Sequence, residues 1–577
     1  MMTWKWDEQE RYKRLPESTI SALTETGQPE TSIQVLKQRL HTSRNPITPS
    51  SLADTLCSEL GVQGMFEYIN TILGTTYTLN ASISSLLQSF IDKNRDFGIA
   101  YAYLRRRWYG QGEPECLIDL ATMKDKLRSW EAKDREMRRT VVRKGRIISR
   151  YIPPRRVWDL FSNRVVPWLV ACHGSRSVLS HAWLDKKDRI LVWTSINGKE
   201  WLVPLPAGVD LRLVRIELLE LECKYVWLNV LCLRQEGGPR EDLRLEEWTV
   251  DVPTIGGVYF PIPGLAAPER VVYYLNGLGR PLGQVVDMDS NRSWFRRAWT
   301  LQETNQDYSI AGETDAGPMQ DYARERFEEQ ISRLKGILSS SIRLPGLLSE
   351  IQARVSTTVI DRVAGLAFLF WCEAIPTYSA SQTEEEAWST LLDAISGKYR
   401  AELFFFYPEP GDGPTRTWRP TWKQLMAGTR GFPPADLDPK HPMNECVDID
   451  DDGDHHFGCH IKEAYIRGLG EFNTDHPAEV RKGKLTIRPR ERTFDIAVTH
   501  HCLIPDGYYM IIGASHAYHW ELKMKHWVVG KLRSNKFEKL SIFHIPDERD
   551  RKRLGRLDVA FVELATRRAE EDKIYLW

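Results

Sequence analysis

Four stretches hold residues that could do chemistry. The first is RSWFRRAWTLQE, 292–303, with two tryptophans, three arginines and a terminal Glu303. On a helix, Trp299 and Glu303 would share one face, being four apart. The stretch reads as an ordinary amphipathic helix, with Glu303 solvated or paired to Arg292 or Arg297, or as a carboxylate held at the mouth of a pocket. The second, NECVDIDDDGDHHFGCH at 444–460, carries two cysteines, three histidines and five aspartates. Cys446, His455, Cys459 and His460 are ligand types for zinc and the aspartates for calcium. Their spacing fits neither a zinc finger nor an EF-hand loop, so an acidic loop and no metal is expected. The third, THHCLIPDG at 499–507, clusters His-His-Cys without a recognisable triad partner. The fourth, NGLGRPLG at 276–283, has a G-x-G, but Pro281 interrupts where a dinucleotide fingerprint needs a helix to open. A tight turn is expected there.

The elements that must position these residues are those of a large folded chain. At 577 residues it exceeds one hydrophobic core, so several domains are expected. Charged residues make up 27 % and the formal net charge is zero, so no global field draws the chain to nucleic acid. One local exception, 133–156, has ten Lys or Arg in 24 residues. A solvated helix running into a strand is the expected reading, and nucleic acid is not an expected partner. Nine scattered cysteines without a CxxC pair suggest reduced thiols. The polar start lacks a signal-peptide core, and the longest apolar run, AGLAFLFWC, is too short for a bilayer. A cytoplasmic protein without membrane contact is expected.

Residues 1–60 are polar and read as a partly disordered segment, and 61–160 as mainly helical. Between 165 and 310 the pattern is α/β. SVLSHAWL (177–184), CKYVWLNVLCL (223–233) and ERVVYYLNG (269–277) are apolar on both faces, as central parallel strands are. DLRLVRIELLELECK lies between the first two with helical periodicity, and Ser290 or Asn291 could cap a helix over 292–303. This arrangement predicts a doubly wound sheet with a ligand beyond the carboxyl ends of its strands. Residues 311–425 read as helices with loops. From 443 to 577, short strands predict a small β-rich domain.

Three of these pieces, in order, carry a resemblance. VLSHAWL, YVWLNVLCLRQE and RSWFRRAWTLQE together resemble the fungal heterokaryon-incompatibility (HET) domain. The matching residues are Ser180 and Trp183, then Trp227, Leu228, Cys232 and Gln235. They end with Arg292, Trp294, Arg297, Trp299, Thr300, Gln302 and Glu303. DRVAGLAFLF (361–370) and TWRPTW (417–422) look like two further family blocks. The resemblance covers roughly 165–310. The departures are His181 in place of the common Tyr, no Gly after Trp183, and Asn229 where Asp is usual.

The resemblance implies a fold distantly similar to the TIR signalling module and a role in fungal non-self recognition and programmed cell death. Some TIR domains cleave NAD at the nicotinamide–ribose bond, and WTLQE looks like their glutamate block, with Glu303 in the glutamate's place. Cleaving that bond builds positive charge on the ribose, which a fixed carboxylate stabilises. NAD would then be a substrate, with no cofactor held permanently. Trp183 could stack on a ring, and Arg292 or Arg297 could fork onto the pyrophosphate. Ser180, His181 and Asn229 would complete the pocket. The competing expectation is a scaffold without chemistry, recruiting partners through the same domain. Self-association and a protein partner supplying a non-self signal are expected under either reading.

Overall fold

The apolar runs become strands where β-branched and aromatic residues can pack on both faces of a sheet. The computed structural model describes residues 10–108, 123–171, 176–260, 267–283, 288, 290–304, 307–317, 319–338, 344–413, 416–427, 446–457, 460–471, 480–487, 492–513, 526–533, 536–551, 553–554 and 573–576. The chain is mixed α/β and divides into two units. The first is Met1–Gly336 with Arg354–Thr357 and Ala374–Ala380; the second is Ile337–Ala353, Thr358–Glu373 and Ser381–Trp577.

The first unit is built on a six-stranded sheet. Its strands are β1 (Arg156–Asp159), β2 (Arg164–Pro167), β3 (Arg176–His181), β4 (Tyr225–Trp227), β5 (Val271–Tyr274) and β6 (Tyr308–Ile310). Their order across the sheet is β6-β5-β3-β4-β1-β2. Strands β4 and β5 run parallel to β3, on either side of it, and β6 runs parallel to β5. Strand β1 is antiparallel to β4 and forms a hairpin with β2. Every residue of β3, β4 and β5 is buried, which explains the near-continuous apolar runs. The strand order reverses between β3 and β5, where Ser180 lies opposite Tyr273 and His181 opposite Tyr274.

Helix α1 (Leu211–Glu220) connects β3 to β4, and its N-cap Asp210 accepts the Arg212 amide. The turn after β5 uses Gly277 and Gly279 at positive φ. A Cβ on Gly279 would stand 2.7 Å from side-chain carbons of Val209 and Val214, so the turn lies against the start of α1. NGLG is therefore a tight turn, as its glycines predict.

Three expectations change. The run 223–233 is not one strand: β4 ends at Trp227 and a short helix, Asn229–Cys232, follows. Periodicity cannot separate a buried strand from a buried helical turn. Residues 18–54, expected to be loose, form a two-stranded sheet and short helices. They bury Glu25, Gln38 and His41. The basic stretch 133–156 is a helix running into a strand, Met123–Thr140 and then Val142–Arg143, as expected, but it is not solvated throughout. Arg138 and Arg155 bind Asp251, and Arg156 binds Glu247 through two hydrogen bonds of 2.9 and 2.6 Å.

The N-terminal elements are tied to the sheet by buried charge. Arg215 of α1 and Glu25 are both fully buried and paired at 3.4 Å. Arg215 also donates to the carbonyls of Leu160 and Thr48, each at 2.7 Å.

In the second unit, the strands expected after 443 are present. Arg492–Val498, Arg481–Ile487, His460–Arg467, Gly507–Ile512, His526–Arg533 and Lys536–His544 pair in sequence around a ring. Ala497 opposite His544 closes it. Closure leaves these six strands without a free edge. Inside lie Ala464, Ile466, Leu485, Phe494, Ile496 and Phe543. Lys539 is buried and donates to the carbonyls of Phe404 and Tyr407, at the end of helix Gly397–Phe406. The segment LDVAFVELA, read as a strand, lies outside the described residues.

Replacing Arg215 by Met should destabilise the full chain by about 3–5 kcal/mol, because Glu25 would be left buried without its cation. Adding Glu25→Gln should recover much of that loss. Urea denaturation measures both; a single-variant loss below about 1 kcal/mol would show that the pair contributes little.

Candidate functional site

Adjacent residues of a strand face opposite sides of the sheet. Ser180 and His181, grouped together in the sequence reading, thus enter two separate environments at the carboxyl end of β3.

On the Ser180 side, the indole Nε1 of Trp294 donates to Ser180 Oγ at 2.7 Å, and Ser180 Oγ donates to the carboxylate of Glu303. Among the described residues this is the carboxylate's one hydrogen bond. Tyr273 donates its hydroxyl to the Glu303 carbonyl at 3.0 Å, and its ring meets Trp294 edge-on at 4.9 Å. Tyr259 donates to the Leu179 carbonyl at 3.0 Å. Ser180, Trp294, Tyr259 and Tyr273 are buried, and Glu303 is only 6 % exposed.

The segment carrying Glu303 is not the expected α-helix. It consists of two 3-10 turns, Trp294–Arg296 and Trp299–Gln302, with Glu303 at the end of the second. The N-cap is Ser293, not Ser290 or Asn291, and it accepts the Phe295 amide. Thr300 Oγ1 contacts the carbonyls of Trp294 and Arg297 at 2.7 and 2.8 Å, within hydrogen-bonding distance. Arg354 donates to the Arg297 carbonyl and to Thr300 Oγ1, both at 2.8 Å. These bonds fold the two turns onto each other, which the 3.6-residue pattern of an α-helix would not allow. Trp294 is therefore a core residue that also holds Ser180, while Trp299 is half-buried.

Burial raises the Glu303 pKa to about 7; the Ser180 hydrogen bond and the Arg354 charge oppose the rise without cancelling it. A carboxyl group poised near neutrality can hold or release a proton at working pH, the condition for acid–base work. Burial and the Glu303 charge also push the Tyr259 hydroxyl upward, so it stays a donor.

On the His181 side, Nε2 lies 2.9 Å from Asn229 Oδ1, which also accepts the Val230 amide at 2.7 Å. Asn229 Oδ1 must then be the acceptor, so His181 carries its proton on Nε2. Burial lowers the His181 pKa, favouring the neutral ring. Tyr274, beside His181, donates to Glu217 of α1 at 2.6 Å. Glu217 also takes Gln38 Nε2 at 2.8 Å and the Gly312 amide at 2.7 Å, a second buried carboxylate that sequence reasoning missed. Cys232 is a buried thiol pushed up to about 12 by desolvation, as an inert core cysteine should be.

The remaining expected residues do not join Glu303. Trp183 is half-buried, with His181 at 5.4 Å on its ring and the guanidinium of Arg189 at 5.0 Å. Arg292 is exposed and pairs with Asp185 at 3.1 Å and Asp188 at 3.6 Å. Arg297 donates to Thr357 at 3.2 Å. The structure thus unites Ser180 with Glu303 and His181 with Asn229 and Trp183, and leaves Arg292 and Arg297 in contacts of their own. Trp294 was visible in the motif. Tyr259, Tyr273 and Arg354 had no signal, since only the folded register brings them in.

The acidic stretch at 444–460 folds in part as a hairpin, Val447–Asp450 with Gly453–Phe457. Asp454 there binds Arg419 and Trp418, and His456 Nδ1 contacts the Cys446 carbonyl. Cys459 lies outside the described residues. Comparison with protein-family models, curated proteins and solved structures returned no match.

Because the folded pKa of Glu303 is raised from 4.5, the folded state holds its proton more tightly than the unfolded state. Stability should be greatest at low pH and fall as pH rises from about 4.5 to about 7, by roughly 3 kcal/mol. Glu303→Gln should remove that slope and be the more stable protein at pH 8. Thermal melts of both proteins at pH 5 and pH 8 test this, and parallel pH trends would refute it.

Proposed function

We propose that this chain is a signalling protein of the heterokaryon-incompatibility type, with a TIR-like, doubly wound domain in its first unit and Glu303 as the reactive group. The reading rests on the HET-like motifs at 177–183, 225–236 and 292–303. The single observation that carries its chemistry is the buried Trp294–Ser180–Glu303 chain at the carboxyl end of β3, where the strand order reverses. A carboxyl group buried without an ion pair among the described residues, titrating near 7, costs stability that a purely structural turn does not require. In this reading the ionised carboxylate stabilises positive charge on a ribose as nicotinamide leaves NAD. Trp183 and Arg189, beside His181 on the other side of the strand, are then outside the reacting centre, and NAD reaches Glu303 only once the 294–303 turns open. Self-association of the domain is the proposed trigger.

A second reading, a scaffold without chemistry, is favoured by one observation: Glu303 is 6 % exposed and already engaged by Ser180. Here the Ser180–Glu303 bond simply locks the 292–303 segment in a shape that a partner recognises.

NAD consumption by the purified full chain decides between them, measured over a protein concentration series beside Glu303→Gln. The catalytic reading expects turnover that rises with concentration, increases from pH 6 to pH 8 as the carboxyl ionises, and falls by at least about 100-fold in the variant. Absence of turnover at every concentration, with the wild type folded, would leave the scaffold.

A further inference from the structure

The first unit contains a recess of about 250 Å³ that the reading above does not use. One wall is apolar: Phe90 and Ile99 come from the helices Ala81–Asp92 and Phe97–Trp108, and Val166 and Pro167 from β2. The rim is cationic. Lys93, Arg95, Arg128 and Arg156 line it against Glu131 and Glu200.

These charges are not equally committed. Arg156 is held by Glu247, and Glu200 by Arg234 at 2.7 Å. Arg128 has Asp125 no closer than 4.0 Å. Lys93 and Arg95 are exposed, and neither forms an ion pair among the described residues. Tyr103 adds a polar group at the apolar wall. Its ring meets Phe90 edge-on at 6.3 Å, and its hydroxyl has no hydrogen bond among the described residues. Burial and the nearby Glu131 charge raise its pKa to about 12, so the hydroxyl keeps its proton and can donate.

We propose that this recess is a binding site for a small aromatic anion, one ring or a fused pair carrying a carboxylate or phosphate. The ring packs on Phe90, Ile99 and Val166, the acid group meets Lys93 and Arg95, and the Tyr103 hydroxyl orients it. The volume sets the class. Pockets for drug-sized ligands run from roughly 300 to 1,000 Å³, so this one takes a ring and an acid group but not a dinucleotide. The charge sets the sign, because Lys93 and Arg95, without ion pairs among the described residues, together with Arg128, outnumber the one carboxylate of Glu131 and favour an anion. The site is independent of Glu303, and its test needs no turnover.

Isothermal titration of the full chain with 2-naphthoate and with phenyl phosphate tests it, beside 2-naphthalenemethanol and inorganic phosphate. Saturable binding of at least one aromatic anion is expected, with Kd below about 1 mM, and which one binds tells carboxylate from phosphate. The neutral alcohol and inorganic phosphate should each bind at least about ten-fold more weakly. Lys93→Glu with Arg95→Glu should weaken binding at least about ten-fold with an unchanged melting temperature, since both side chains are exposed. Should that pair fail to fold, Tyr103→Phe serves instead, with a loss of about three-fold or more. No saturable binding by folded wild type, equal binding of inorganic phosphate, or affinity unchanged in the folded variants would each overturn the proposal.

Discussion

A carboxyl group taken out of water, with no ion pair among the described residues, is the constraint around which the first unit's sheet end is arranged. Such a group must either keep its proton or be met by donors. Glu303 has one donor, Ser180, whose hydroxyl is itself fixed by the Trp294 indole. The chain of donors runs one way, from N–H to O–H to carboxylate, and each bond polarises the next. The consequences spread outward. Trp294 must be fully buried to reach Ser180, so its segment cannot be a surface helix and folds as two tight turns. Those turns need Thr300 and Arg354 to satisfy their carbonyls. Tyr273, directly across from Ser180, then fixes the backbone of Glu303 itself.

The opposite face of the same strand pair follows different electrostatics. An aspartate at position 229 would sit beside His181 as an anion and favour the imidazolium. Asn229 supplies the same acceptor geometry without the charge, and burial does the rest. Two of the three departures from the resemblance, His181 and Asn229, are therefore one matched pair: a neutral donor facing a neutral acceptor. Both are explained by mutual contact, without appeal to a ligand.

Much of the strand framework was legible because it depends on local composition. The apolar runs at 177–181, 225–227 and 271–274 are strands, the amphipathic run at 211–220 is a helix, and the C-terminal alternations form sheet. The pair Ser180 and Glu303 was also visible, through motifs more than a hundred residues apart. What could not be read was whatever depends on register or on pairing across the chain. The period-of-four relation between Trp299 and Glu303 suggested a helix, yet hydrogen bonds from Arg354, far along the sequence, overrode it. The polar N-terminal 60 residues looked loose because their buried groups, Glu25 and Gln38, find partners far along the chain, Arg215 and Glu217 of α1 among them. Arg292 and Arg297, promising as anion forks, are drawn instead into contacts with Asp185 and Thr357.

Arg354–Thr357 belongs to the first unit although the residues on both sides of it belong to the second. During synthesis, then, the sheet and the Glu303 turns emerge well before the arginine that clamps them. Until Arg354 has cleared the ribosome, the carbonyl of Arg297 and the hydroxyl of Thr300 lack that donor. The sheet can form early; the centre at its end is completed late, in step with the second unit's first helices. An order of availability is thus written into the chain's path: the clamp on the turns is the last of their partners to be made.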